Sequence, residues 1–581
     1  MKKIILNIVL LTLFQQGFSQ KKDENIGDEV VNIVKPYTPT ISDAFKVKET
    51  PSLDKEIAEP KLPILYQIFS FPVASTFVPS KGKAAAVDQT QFEKGFTNYA
   101  LLGGGNYGTL NAEVFVTQQL NRTNYVGALV RHLSSQGNIK NTPLDSNFGT
   151  TSFDGTYGNR TRNGQWNIDL GVKNQIINWY GLPLQTAIFT DEMIAAIQPK
   201  QSYTSLTLGG RMEAKDGLLS SGQFQFKRFS DKFGSGENRF YVKPQIDVTL
   251  FDQKIKADFV LDYVGGSFEK NALISQAIKY NTLIFGTKPS FMYTQEDLSI
   301  QIGAGVFYAS QTNDSQKEGK LFVYPNIKAS YRLVGDLMIA YAGAEGNLHQ
   351  NSYADYVSLN PFVSPTLFIA PTDQSYDLYV GMKGKLANSV SFNVRGAMIN
   401  EKNKPLFTSN TFNFYSNPSP YAYSNSFQVI YDDIKTLSLF GELKADFSKT
   451  TSFAIQGTFF NYTTSKAVYA WNLPTLKLGT SFETEFTDKW YAGLQLFFVG
   501  ERKDLISTQS LLAIFPPQFS QEVQTLDSYF DLNAHVGYKY NKRLTAFLKG
   551  NNLANQAYQS WANFSVQGIQ VVLGASYKFD F

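Results

Sequence analysis

The sequence predicts an all-β fold, a transmembrane antiparallel β-barrel of about 22 strands, with about 20 or about 24 as the neighbouring solutions. Three observations carry it. Apolar and polar residues alternate with period two through most of the chain after residue 93. Charged residues recur in the middle of these runs, where a sandwich core would not accept them but a polar lumen does. Short and long connections between the runs alternate in turn.

The N-terminal 92 residues stand apart. Lys2 and Lys3 precede the apolar run Ile4 to Phe14, and Gly17-Phe18-Ser19 places small residues at the −3 and −1 positions, so residues 1–19 read as a signal peptide cleaved after Ser19. Residues 20–92 carry Pro36, Pro39, Pro51, Pro60, Pro63, Pro72 and Pro79, a density that blocks helix and central strand alike. They read as an extended periplasmic segment whose more apolar part, Ile64 to Val78, could dock in the barrel mouth.

Residues 93–581 read as the barrel. In the last strand Ile569, Val571, Leu573, Ala575, Tyr577, Phe579 and Phe581 share one face, opposite Gln570, Gly574, Ser576, Lys578 and Asp580, with Val572 the apolar exception. The same alternation runs through Phe530 to Tyr540 and through Leu476 to Phe486. Short turns fall at Leu120-Asn121-Arg122, Arg162-Asn163-Gly164, Val334-Gly335-Asp336, Asn388, Ser448-Lys449 and Asn541-Lys542, among others. The largest long loops fall near 178–200, 349–375 and 504–525. Barrels of this kind put short turns in the periplasm and long loops outside, and an even strand number returns both termini to the periplasm. Trp490, Tyr491, Tyr538 and Tyr540 near strand ends suit an interfacial aromatic girdle. The Gly103 to Gly108 stretch has no Lys and no following helix, so it reads as a tight hairpin between the first two strands rather than a phosphate cradle.

The run Leu443 to Lys449 followed by Ser452-Phe453-Ala454, the stretch Leu476 to Arg502, and above all Asn552-Leu553-Ala554-Asn555-Gln556-Ala557-Tyr558 with Gly568 and the final strand resemble the late barrel of TonB-dependent outer-membrane receptors. The resemblance implies a location in the outer membrane of a two-membrane bacterium and a terminal aromatic read by the barrel assembly machinery, here Phe581 or Phe579. Receptors of that family carry a folded plug before the barrel, for which residues 20–92 are too few and too rich in proline. Glu29, Val30, Val31, Ile33 and Val34 look like the short segment by which such receptors contact TonB.

Chemistry-bearing motifs are scarce. The chain has no Cys, which removes disulfides and thiolate metal sites, and a net charge of +4 is too small to argue nucleic-acid binding. His132, His349 and His535 lie far apart, so no metal or other cofactor is expected. His132-Leu133-Ser134 resembles the His-x-Ser pair of outer-membrane phospholipase A, but a serine-rich loop entry explains it without catalysis, and the chain is not expected to be an enzyme. The loops carry Trp179, Tyr180, Tyr353, Tyr356, Phe362, Phe368, Phe515 and Phe519, which could hold a ligand or partner or could equally pack together and close the lumen. The first expectation for function is a plugless barrel subunit of an outer-membrane assembly, secretion or uptake complex, with the bilayer, the barrel assembly machinery and other proteins as partners. The alternatives are a TonB-dependent nutrient transporter and a passive porin, the last disfavoured because so wide an open lumen would leak.

Overall fold

The computed structural model describes residues 96–581 except 186–188, 251–252, 271–275, 314–315, 413–418 and 510–518. The expected signal peptide, the proline-rich segment and the TonB-contact residues Glu29, Val30, Val31, Ile33 and Val34 lie outside the described residues, as does Phe515.

In chain order the strands are β1 (Asn98–Gly105), β2 (Thr109–Gln119), β3 (Asn124–Ser135), β4 (Phe148–Arg160), β5 (Gly164–Asn178), β6 (Lys200–Ala214), β7 (Leu219–Asp231), β8 (Gly236–Leu250) and β9 (Gln253–Phe268). They continue with β10 (Ile278–Gln295), β11 (Leu298–Asn313), β12 (Gln316–Val334), β13 (Met338–His349), β14 (Thr372–Ala387), β15 (Val390–Ser409), β16 (Phe427–Ser448), β17 (Thr451–Thr464) and β18 (Leu476–Glu485). The last are β19 (Trp490–Val499), β20 (Arg502–Gln509), β21 (Phe519–Leu526), β22 (Tyr529–Lys539), β23 (Leu544–Asn551), β24 (Gln559–Trp561), β25 (Phe564–Ser565) and β26 (Gln570–Phe579). Two short helices, α1 (Asp191–Ala196) and α2 (Tyr353–Leu359), sit in loops.

Twenty-two of these strands form one closed antiparallel sheet, while β20–β21 and β24–β25 are separate hairpins in the loops. Each barrel strand pairs with its neighbour in the chain, and β1 pairs with β26 from Asn98↔Phe579 to Gly105↔Val572, so no edge is left open. Closure is what lets β-structure satisfy its backbone groups inside a bilayer.

Parity sorts the side chains. On β5 Trp166, Ile168, Leu170 and Val172 are 41, 44, 44 and 40 % exposed on the outer face. Asp169 and Lys173 point the other way, toward Asp154 on the next strand. Inside, Glu483 and Glu485 of β18 meet His535 at 3.3 Å and Lys539 at 2.8 Å on β22. Val572, the apolar exception of the last strand, is buried on the inner face, where a Cβ on Gly103 would lie 3.1 Å from it and 3.3 Å from the Phe547 ring. At this point of the seam Val572 and Phe547 pack over Gly103, with the buried Lys549 opposite Val572.

The short turns fall where sequence places them, each held by local chemistry. Asn121 Oδ1 accepts from Thr123 N at 3.0 Å and Asn124 N at 2.9 Å, and Asn541 does the same for Arg543 and Leu544. Gly217 and Gly335 take the left-handed backbone in two other turns. Gly103 to Gly105 lie in β1, and residues 106–108 make the tight connection to β2. The girdle needs one correction. Trp490 is on the outer face, 4.8 Å from Tyr538, but Tyr491 is buried on the inner face against His535. Adjacent residues of a strand cannot share a face.

Candidate functional site

The largest buried apolar cluster sits at the long-loop end of the barrel, built from loops and strand rims. Its centre is the 350–371 loop between β13 and β14. Ser352 starts α2, its hydroxyl accepting from Asp355 N at 3.1 Å. This places Tyr353, Ala354, Tyr356 and Val357 inward, all buried.

Polar contacts tie this loop to strands far round the ring. Glu237 on β8 accepts from Tyr353 N at 2.7 Å, Ala354 N at 3.4 Å and the Tyr280 hydroxyl at 2.7 Å. A carboxylate at the first turn of α2 satisfies amides that the helix itself leaves open. The Tyr353 hydroxyl donates to Asp231 at 2.8 Å. Arg239 bridges Asp262 at 2.7 Å and Asp355 at 3.2 Å. Farther along the loop, Tyr203 donates to Pro361 O and Gln311 donates to Ile369 O.

On the other side the loop joins the rim of β16. Phe427 N donates to Phe362 O at 3.0 Å, and Ser364 N donates to Phe427 O at 2.8 Å, so residues 362–364 extend the sheet locally. Tyr431 takes Ala370 N at 2.9 Å and contacts the Tyr356 hydroxyl at 2.6 Å. One loop therefore reaches strands β6 to β8 and strand β16, on both sides of its own origin.

Aromatic rings fill the space between. Tyr353 stands edge-on to Phe229 at 5.2 Å and Phe268 at 5.0 Å, and Phe362 stacks on Phe564 at 3.8 Å. Trp179 packs on Phe233 and Tyr421, and its carbonyl accepts from Asn425. Burial raises the hydroxyl pKa of Tyr353, Tyr356 and Tyr180, which holds them as hydrogen-bond donors. Each buried ring contributes roughly 1.5–3 kcal/mol against an exposed one.

The β20–β21 hairpin docks beside this cluster. Arg502 donates to the carbonyls of Ser560 at 2.5 Å and Gln559 at 2.6 Å, beside the β24–β25 hairpin. Burial pushes the Asp504 carboxyl up to about 7, against hydrogen bonds that work the other way.

Of the residues singled out from sequence, Tyr353, Tyr356 and Phe362 come together here, with Trp179 and Tyr180. Phe368 lies at the outside, half exposed, with its ring 6.0 Å from Tyr431. Phe519 opens β21, remote in sequence from them. Phe579 pairs with Asn98 at the seam, and Phe581 is 82 % exposed beyond it. Asp231, Glu237, Arg239, Tyr280, Tyr431 and Phe427 were not singled out. Their only sequence signal is a charged or aromatic residue at the loop end of a strand. Asn552 to Tyr558 is less a closing turn than the start of a long loop, in which Asn552 donates to Gln556 O and Gln567 O and Tyr558 stacks on Tyr529 at 3.8 Å.

No family model and no curated protein matches the chain by sequence. Solved structures do match it in fold. The ferripyoverdine receptor of the outer membrane of Pseudomonas aeruginosa aligns at a TM-score of 0.59 and 13 % identity over 84 % of this chain and 72 % of that one. The ferric-catecholate import receptor Fiu of E. coli K12 aligns at 0.59 and 10 % identity, over 84 and 82 %. The siderophore receptor PirA of Acinetobacter baumannii aligns at 0.58 and 11 %, over 84 and 81 %. All three are named as receptors, the first of them of the outer membrane. At this identity the likeness is one of fold.

Proposed function

We propose that this chain is an outer-membrane uptake receptor that imports a nutrient through contact with TonB on its periplasmic side. The observation that carries the reading is a loop held across the mouth. A passive porin needs an open lumen, whereas here the 350–371 loop spans the rim and is fixed by Glu237, Asp231 and Arg239. A solute would have to be gripped by the loops and admitted by their movement, and the structurally similar proteins are named as an import receptor and a siderophore receptor. That likeness supports the transporter more than a plugless structural subunit. In this reading both termini face the periplasm and the assembly machinery recognises Phe579 or Phe581.

The test is at Val31. Proline there removes a backbone donor from the segment 28–34, which would pair with TonB by strand addition. Uptake should be abolished while the amount of protein in the membrane is unchanged. Undiminished uptake would count against energised import.

One observation favours the complex subunit as a second reading. Leu359, Phe368, Val468 and Tyr469 stand exposed at the long-loop end, where a partner protein could cover them. Stable co-purification of such a partner in mild detergent, together with a silent Val31→Pro change, would favour that reading.

A further inference from the structure

The outer wall of the barrel carries a group that the mouth does not use. On β3, His132 and Ser134 lie two residues apart and share a face. The face is the outer one. Val130 of the same parity pairs with Val114, both exposed and apolar, while Arg131, of opposite parity, meets Glu113 on the inside. The His132 Nε2 lies 3.0 Å from Ser134 Oγ. Its Nδ1 lies 2.8 Å from Thr151 Oγ1, which stands directly opposite on β4. Ser134, His132 and Thr151 are therefore joined in series by hydrogen bonds, an arrangement that with the right tautomer can activate a hydroxyl.

The surroundings leave the group open. Ala112 is the cross-strand neighbour of His132 on β2, and Gly149 opposes Ser134 on β4. Toward the short-turn end the same face is apolar, through Val130, Val126, Phe153 and Tyr157. Val130 is two residues from His132, ~7 Å along the strand. An acyl chain lying against these residues would put its ester carbonyl level with Ser134.

We propose that Ser134 and His132 are catalytic residues for hydrolysis of an acyl ester of a membrane lipid, with Thr151 as a positioning residue. Thr151 accepts from His132 Nδ1–H and so leaves Nε2 free as the base. Ser134 Oγ adds to the ester carbonyl carbon as its proton passes to His132 Nε2. The alcohol leaves with that proton, and the acyl group stays on Ser134. Water then adds to the acyl carbon, its proton again passing through His132. The fatty acid departs and Ser134 is restored, so the net reaction is ester plus water to acid plus alcohol.

The readout is covalent capture by fluorophosphonates on the full-length purified protein in detergent, with mass spectrometry to locate the adduct. A long-chain alkyl fluorophosphonate should label Ser134, at least tenfold faster than a short, water-soluble one. Labelling should vanish in Ser134→Ala and fall at least tenfold in His132→Ala. It should fall severalfold in Thr151→Ala and return in Thr151→Ser, a rescue that a packing role would not require. Heat-modifiable gel migration reports that each barrel is closed, and Ser134→Gly serves if Ser134→Ala fails to fold. An unlabelled, folded wild-type barrel overturns the proposal, as does labelling that His132→Ala leaves unchanged. Faster labelling by the short reagent overturns the lipid assignment.

Discussion

Glu237 is one carboxylate at the rim of β8 on which three donors converge, two of them amides of α2. In Glu237→Ala those donors lose their acceptor where water does not reach them freely. The docking of the 350–371 loop should weaken by roughly 3 kcal/mol, about what one or two orphaned buried donors cost. Amide exchange over 353–359 should quicken, and in planar bilayers the pore should open more often and conduct more. Unaltered exchange at those amides would show that the rings alone hold the loop. Nothing in the sequence marks Glu237 off from Glu113 or Glu345, which also face the lumen and pair with basic residues within the wall. Its role comes from a loop more than a hundred residues downstream. Tyr491 is a different case, because its parity against Trp490 already settles its face and the count of aromatics near a strand end does not.

Within the strands a recurring device shapes the inner wall. Tyr379 lies opposite Gly343, and Tyr341 lies opposite Gly381, on β13 and β14. A Cβ on Gly343 would fall 2.3 Å from the Tyr379 ring, and one on Gly381 would fall 2.3 Å from Tyr341. Tyr491 covers Gly537 and Tyr125 covers Gly158 in the same manner. Each ring replaces the side chain its neighbour lacks. Gly343→Val should displace Tyr379 and destabilise the barrel by about 1–3 kcal/mol, as overpacking does elsewhere. Gly396→Val, on the outer face with nothing within 4 Å of the new Cβ, is the control. Urea unfolding in lipid vesicles measures the difference, and equal midpoints for the two variants would dismiss the device. The strands were legible in the sequence because period two is a local property, and Val572 breaks that period where it packs over Gly103. The 350–371 and 552–569 loops were legible as loops only. Their order depends on contacts between segments hundreds of residues apart, such as Phe362 on Phe564.

For the whole molecule, the two rims are chemically unlike, with short turns at one end and packed loops at the other. A cysteine at Asn388 or Lys542 should escape membrane-impermeant thiol reagents on intact cells. One at Leu359, exposed on the far rim, should react. Labelling at Asn388 in intact cells would invert the barrel. The seam between β1 and β26 bears on how the ring is made. Asn98 meets Phe579, and Thr97 donates to the Asp580 carboxylate at 2.8 Å across a separation of 483 residues. The joining contacts therefore cannot exist until the last strand is in place, and every shorter nascent sheet carries two bare edges. Parity adds to this, since an up-and-down ring with one strand fewer would bring its end strands together parallel, and the antiparallel seam would be lost. Loss of β26 should thus yield no narrower barrel but an open sheet prone to aggregation and proteolysis. For this chain quality control reduces to a kinetic race between completion of the ring and capture of its edges.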